Sequence, residues 1–595
     1  MKSIKIILFG CLALLIGSCT DYLDPYPNGD RQEEDIWGYQ DMVQGLVGQC
    51  YDNMPRNYND NEGAYLEGAT DNAVLTSNTN SMKRLANGSL VTSQDPFQTY
   101  WDRDYRSIRS VNMFLENRRG FNKRFLINKR LDSLVRYRLQ GEAFALRAWF
   151  HWDLLQKFGG KGTDGQMLGI PIILEPIDLK GDLNFARNTY DECVKQILAD
   201  CDSAYKYLPI AHRDFLAASS DLTYAGGRYW GRFDGITTKA IKAMVYLTWA
   251  SPRFNPNNDI SRWDSAAVNA KKVIDFKLTK DNVTNGFKVA NQVEWFNPQF
   301  PGVVWDSRSA GSNADMETMF YPGGFRGNGV IGASQELVNA FPMKNGYPIT
   351  DARSNYNPAD PYKDRDPRFY TVIFHNNAVA KRNNTGAVMY TFENFEGGKD
   401  AAGAAINNSL TNYHIKKFVF MGWNRNDATV NTQPHAKFFF RWAHMCLAFA
   451  EAANHVVGPA NTTKYGLSPM QAIQYLRTRK NYDGGSGLAT DPYLTEVANA
   501  GEATFDAFVK NERRIETCFE GTWFYDIRRW TTTLDELNKP VHGAAIIKNG
   551  DGTFTYDLNK VVDTRNYTSA YLPIPYQEML RMSKLVQNEG WDGWK

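Results

Sequence analysis

Residues 131–160 read LDSLVRYRLQGEAFALRAWFHWDLLQKFGG, the clearest helical pattern in the chain. Apolar residues return with helical spacing from Leu131 to Phe158, and Gly159-Gly160 is a natural C-terminal stop. Within it Gly141, Ala143, Ala145 and Ala148 alternate with Phe144, Trp149, Trp152 and Leu155. Small residues let a neighbouring helix approach closely while rings fill the groove between them, as in helix–turn–helix repeats. The stretch from Phe438 to Asn454 has the same texture, although no clean 34-residue period runs along the chain. The pattern predicts a mainly α fold built on a tetratricopeptide-like helical-repeat scaffold.

Outward from this helix, the periodicity predicts others at 35–54, 98–118, 188–207, 237–251, 263–276, 334–341, 436–456, 468–480, 502–519 and 575–586. Long irregular stretches separate them at 55–97, 208–235, 281–333, 343–435 and 481–500. Loops of that length in a folded protein are functional or built around small sheets. Most of this length falls in the C-terminal half, where short strands are expected at 414–421 and 571–574.

The chain has 595 residues, 43% hydrophobic and 22% charged, which is ordinary globular usage and excludes a largely disordered protein. Its 67 Lys and Arg against 65 Asp and Glu leave no electrostatic footprint for nucleic acid. Aromatic content is high, with 34 Phe, 31 Tyr and 15 Trp. That is more ring surface than helix packing needs, and rings also stack on flat ligands.

The first residues read as an address. A basic start with Lys2 and Lys5 precedes a small-or-apolar run from Ile6 to Ile16, then Gly17-Ser18-Cys19. This is a secretory signal, too short to span a bilayer, which takes about 20 apolar residues. Ile16-Gly17-Ser18-Cys19 resembles a bacterial lipobox, in which Cys19 becomes the acylated first residue of a membrane-anchored protein. Beyond it Cys50, Cys193, Cys201, Cys446 and Cys518 form no C-x-x-C pair, so neither a disulfide framework nor a thiolate zinc site is expected. Cys446 and Cys518 lie in apolar helical runs and read as small core residues.

Motifs for chemistry are absent or fail their context. Gly327-Asn328-Gly329-Val330-Ile331-Gly332 matches G-x-G-x-x-G, but Tyr321-Pro322-Gly323-Gly324-Phe325-Arg326 before it is no strand, so no dinucleotide cofactor is expected. The scattered His residues, among them His435, His444 and His455, do not gather metal ligands on one helical face. Glu512-Arg513-Arg514-Ile515-Glu516, with Glu520 and Asp526-Ile527-Arg528-Arg529, is the densest charge cluster. It reads as a salt-bridge network between helices, because pairing lowers a carboxylate pKa and disfavours general-acid work. No catalytic residue, metal or cofactor is assigned.

Several stretches together resemble the SusD/RagB family of outer-membrane nutrient-binding lipoproteins of Bacteroidetes. They are Cys19-Thr20-Asp21-Tyr22-Leu23-Asp24, Arg147-Ala148-Trp149-Phe150 with Phe158-Gly159-Gly160, Gly169-Ile170-Pro171 and Ser251-Pro252-Arg253-Phe254-Asn255. In the second half they are Ser334-Gln335-Glu336-Leu337-Val338, Arg365-Asp366-Pro367-Arg368-Phe369, Ala450-Glu451-Ala452, Glu512-Arg513-Arg514, Asp526-Ile527-Arg528-Arg529-Trp530 and Pro573-Ile574-Pro575 with Gln587-Asn588. Two departures are His444, where the family usually carries an acidic residue, and Arg581, near an expected Asn.

The resemblance implies a SusD-like organisation: a lipoprotein signal at 1–18, an N-terminal region with helical repeats at 19–235, and a loop-rich C-terminal region with minor β at 236–595. It implies a non-enzymatic lipoprotein on the cell surface that captures a nutrient and passes it to a SusC-like TonB-dependent transporter of the outer membrane. A glycan is the expected ligand. A peptide is the alternative, with a surface glycoside hydrolase or a structural helical-repeat adaptor further behind. Ligand-binding candidates rest on location: Trp295, Trp305, Tyr321, Phe325 and Arg326 in the aromatic loop, with Asn80 and Arg84 in the 55–97 loop. Rings cover the apolar face of a sugar, and Asn and Arg satisfy its hydroxyl edge.

Overall fold

Helix follows helix along the chain, each packed on the next. The computed structural model describes residues 33–56, 58, 63–178, 180–212, 223–281, 302–307, 312–382, 385–403, 407–422, 424–426, 432–479, 488 and 491–593. The scaffold comprises α1 (Gln40–Asp52), α2 (Gln98–Leu115), α3 (Lys129–Phe158), α4 (Tyr190–Tyr207), α5 (Gly235–Ala250), α6 (Ile260–Asp281), α7 (Trp442–Val457), α8 (Pro469–Arg477), α9 (Glu502–Thr517) and α10 (Trp523–Trp530). Neighbours in this order pack together from α1 to α8, and α9 lies on α7. This is the mainly α, repeat-like scaffold that the 131–160 pattern predicts.

Local signals set the helix ends. Asn128 caps α3 by accepting from Arg130 N and Leu131 N, and Thr189 with Glu192 forms a capping box on α4. Gly141 lets the end of α4 close onto α3: a Cβ there would lie 2.5 Å from Leu208 Cγ. The small residues of α3 do the work expected of them, since Ala143, Ala145 and Ala148 are fully buried between neighbouring helices.

Between the helices lie short antiparallel pairs. Strand β1 (Ala73–Leu75) pairs with β3 (Ile331–Ala333), and β2 (Val303–Asp306) with β4 (Phe438–Arg441). A longer hairpin joins β5 (Pro540–Lys548) to β6 (Phe554–Thr564). The β1–β3 and β2–β4 pairs tie segments more than a hundred residues apart, and one apolar core runs from Trp37 to Trp591.

The sequence missed the β5–β6 hairpin, and its strand predictions need correction. Only His414–Ile415 of 414–421 is a strand, and 571–574 is extended but unpaired. There Pro573 and Pro575 remove two of the donors that a ladder needs. Gly327 and Gly329 precede strand β3 and Gly332 lies within it, so the glycines lead into a strand instead of following one, the reverse of a dinucleotide turn. Cys50, Cys193, Cys201, Cys446 and Cys518 are free and buried.

The charge cluster of α9 is the buried network that its spacing predicts. Glu512 accepts from Arg368 at 2.9 Å and from Arg477 at 2.5 Å. Glu516 meets Arg479 at 2.6 Å and Arg441 at 3.1 Å, and Glu520 meets Arg441 at 2.5 Å and Lys417 at 2.7 Å. His444 lies 3.1 Å from Glu520, an imidazole facing an acid. Burial would raise the Glu516 carboxyl, but Arg479 and Arg441 outweigh it and hold it well below the usual carboxylate range. Among the described residues no helix is long and apolar enough to cross a membrane.

Candidate functional site

The residues expected to face a ligand divide into three groups. Trp295 lies outside the described residues, as does the expected lipidation site Cys19. Trp305, Tyr321 and Phe325 are core residues, at 2%, 1% and 0% exposure, so none presents a face to a ligand. Trp305 stacks on Phe439 at 4.2 Å, meets Trp149 edge-on at 4.7 Å, and donates from Nε1 to Gly231 O. The Tyr321 hydroxyl donates to Met421 Sδ, and Phe325 stacks on Tyr390 at 4.6 Å. A large ring is the cheapest anchor for a long loop, because its burial offsets the entropy of ordering the chain around it.

The polar candidates are at the surface but serve their own backbone. Asn80 Oδ1 accepts from Met82 N at 2.8 Å, capping the short helix Ser81–Ala86. Arg84 Nε donates to Asn78 O, and its Nη1 bonds Gln94. Arg326 is exposed with φ 54°, and its carbonyl accepts from Arg425 Nη2 at 2.7 Å. Strand pairing brings the two loops together, since Thr76 N and Oγ1 both donate to Val330 O. Asn80 and Arg84 therefore share one side of the molecule with the 326–330 glycine loop.

A cleft of about 570 Å3 opens where the C-terminal end of α1, the middle of α3, the strap 226–232 and the end of β2 meet. Tyr51, Tyr229 and Trp230 are half-buried in its wall. Gly226 and Gly231 turn the strap at φ 81° and 86°, which only glycine adopts without strain. The Arg138 guanidinium lies 3.9 Å over the Tyr229 ring, and that of Arg232 lies 5.0 Å over Tyr51.

One carboxylate organises these cations. Glu142, one turn beyond Arg138 on α3, accepts from Arg138 Nη1 at 2.8 Å and from Arg232 Nη1 at 2.9 Å. Burial would raise its pKa, but Arg138 and Arg232 prevail and hold it below the usual range. The strap is pinned further by Tyr229 donating to Thr223 O and by the Trp305 indole beneath Gly231. Trp305 thus acts one layer behind the cleft, as a support. The cleft offers flat ring faces beside fixed guanidinium donors, an arrangement suited to a polyhydroxylated ligand. The sequence signal for it is Gly226-Gly227-Arg228-Tyr229-Trp230-Gly231-Arg232, rings and arginines interleaved between glycines, which the reading of 208–235 as one of several long functional or sheet-bearing stretches did not single out. Among the described residues no group of three or more His, Cys, Asp or Glu is placed to hold a metal ion.

A family model described as the SusD family matches residues 301–591, and one described as starch-binding and associating with the outer membrane matches residues 21–220. SusD-like protein P38 of Formosa agariphila is 21% identical over 285 residues, 45% of this chain. The match spans half the length of that curated relative. Among solved structures, a SusD-like protein of Bacteroides fragilis superposes with a TM-score of 0.69 at 21% identity, covering 94% of this chain and 98% of that one. A SusD-like carbohydrate-binding protein of the same species superposes with a TM-score of 0.66 at 17% identity, covering 92% and 99%. At these identities the two structures establish the likeness of fold.

Proposed function

Because the chain belongs to the SusD/RagB family, we propose that it captures a glycan in the Tyr51–Tyr229–Trp230 cleft and delivers it to a SusC-like TonB-dependent transporter. In this reading Cys19 carries the lipid that anchors it to the outer membrane, with the cleft facing the medium. The observation that carries it is the union of three half-buried rings with two arginines fixed on one buried carboxylate. Ring faces take the C–H side of a pyranose, and the guanidinium edges take its hydroxyls. The protein does no chemistry on its ligand. Glu142, the carboxylate behind the cleft, is bonded to two guanidiniums and held ionised, which disqualifies it as a general acid.

Affinity electrophoresis of the purified chain through gels holding a panel of polysaccharides tests this reading. Wild type is retarded by one polymer class without releasing cleavage products, and Trp230→Ala loses that retardation while keeping its melting temperature. Products, or migration unaffected by every polymer, would overturn it. Cys19→Ala should shift the protein from the membrane to the soluble fraction, and retention of the variant would sink the lipid anchor.

A further inference from the structure

Behind the Trp305 layer, and flanked by Pro55 between the cleft residues Met54 and Arg56, a second pocket of about 120 Å3 opens where α3, α5, α10 and β4 meet. Its rim is apolar and half-buried, with Phe439, Met244 and Tyr525. Its floor contains Trp149 and Arg513, which are 8% and 1% exposed. Trp149 Nε1 and Arg513 Nη1 are both buried without a hydrogen-bond acceptor. Buried donors are rarely left unmade, so two lining one pocket call for an acceptor that the chain does not supply.

The charge of the lining agrees. Lys157, Lys437, Arg513 and Arg529 face it against Asp153, Glu520 and Asp526, four cations to three carboxylates. Each carboxylate is already committed: Asp153 to Lys157, Glu520 to Lys417 and Arg441 behind the floor, and Asp526 to Arg513 and Arg529. Glu451 bonds Arg529 from the far side. Burial holds the His444 imidazole below its usual range, so it adds no charge at neutral pH. Every lining carboxylate is thus engaged, and none accepts from Trp149 Nε1 or Arg513 Nη1. A water centre needs about 10–15 Å3 of such space, so the pocket admits roughly ten water-sized groups, the scale of one pyranose bearing a carboxylate.

We propose that this pocket binds a single hexuronate ring, its carboxylate on Trp149 Nε1 and Arg513 Nη1 and its C–H face against the aromatic rim. The site is separate from the cleft and does not depend on what the cleft captures. Titration calorimetry on the full chain tests it with glucuronate, glucose and acetate as probes. Glucuronate binds at one site per chain, while glucose, lacking the carboxylate, and acetate, lacking the ring, each bind at least tenfold more weakly. Trp149→Phe keeps the ring, removes the donor and weakens glucuronate at least tenfold, whereas Trp230→Ala in the cleft leaves it unchanged. Should Trp149→Phe fail to fold, Phe439→Leu on the rim serves, with the same weakening expected. Equal binding of glucose or acetate, no binding of any probe, or loss in Trp230→Ala instead would overturn the proposal.

Discussion

Two clusters of arginine and carboxylate, built from the same residue types, serve opposite ends in this molecule. In the α9 network Glu512, Glu516 and Glu520 are each shared between cations from other segments, and every partner is buried. In the cleft a single carboxylate, Glu142, holds two arginines whose remaining faces lie on Tyr229 and Tyr51 at the surface. The first arrangement buries every guanidinium; the second buries Arg138 but leaves Arg232, 33% exposed, at the cleft. What separates the two clusters is therefore the exposure of Arg232 and the rings beside the cations, not the residue types.

The comparison breaks most easily at Glu516. Glu516→Gln leaves buried Arg441 with Glu520 alone and takes from buried Arg479 the carboxylate it meets, and should cost about 3–5 kcal/mol of unfolding free energy in a urea titration. The pH dependence follows from the depressed carboxyl. Because its folded pKa lies below the unfolded value, its contribution is full above about pH 5 and fades as pH falls toward the folded value. Wild type should lose stability progressively below pH 5, and Glu516→Gln should show a flatter profile there. A variant as stable as wild type would mean that the network is dispensable.

At Glu142 the same substitution should be milder. Arg232 is 33% exposed and can turn to water, so Glu142→Gln should cost about 1–3 kcal/mol. It should also weaken glycan binding by about tenfold, because Arg138 and Arg232 lose the group that orients them. A stability loss as large as that of Glu516→Gln would place both clusters in one class.

A third change probes the layer between core and cleft. Trp305→Phe keeps the ring in its stack but removes the donor to Gly231 O, at a cost of about 1 kcal/mol in thermal unfolding. Because that bond holds the strap, a fewfold loss of glycan affinity should accompany it. Unchanged affinity would show that the strap is positioned by its glycines and by Tyr229 alone.

The scaffold was legible because helical spacing, small residues and a glycine stop are local: the 131–160 pattern acts where it is read, whereas the Asn128 cap and the Thr189–Glu192 box were seen only in the structure. The charge density of α9 showed that a network would form, but not its partners: Glu512 and Glu516 bond Arg368, Arg477, Arg479 and Arg441 from other segments, while Arg513 and Arg514 of α9 bond Asp526 and Asp71. The cleft was not legible. Trp305, Tyr321 and Phe325 stand in a loop as rich in rings as any binding loop, and nothing in their spacing says that Phe439, Met421 and Tyr390 cover them. Which ring faces solvent is decided by partners more than a hundred residues away in the case of Trp305. The strap 226–232 carried a local signal, but its meaning depends on Glu142 lying behind it.

The finest test of the comparison lies at the rim. Arg228 is exposed and donates to Thr223 O at 3.4 Å, the weakest attachment of any cleft arginine whose hydrogen bonds are given above. An exposed charge in high dielectric contributes little to stability, so Arg228→Ala should leave the melting temperature unchanged. Its field nevertheless reaches about 10 Å at 0.1 M salt, enough to assist the approach of an electron-rich ligand to the Tyr229 and Trp230 faces. The association rate should fall about twofold at low salt, measured by biolayer interferometry, with the difference vanishing at 1 M NaCl. A salt-independent loss would mean that Arg228 touches the ligand directly and belongs with Arg138 and Arg232; no loss at any salt would confine recognition to the two arginines that Glu142 fixes.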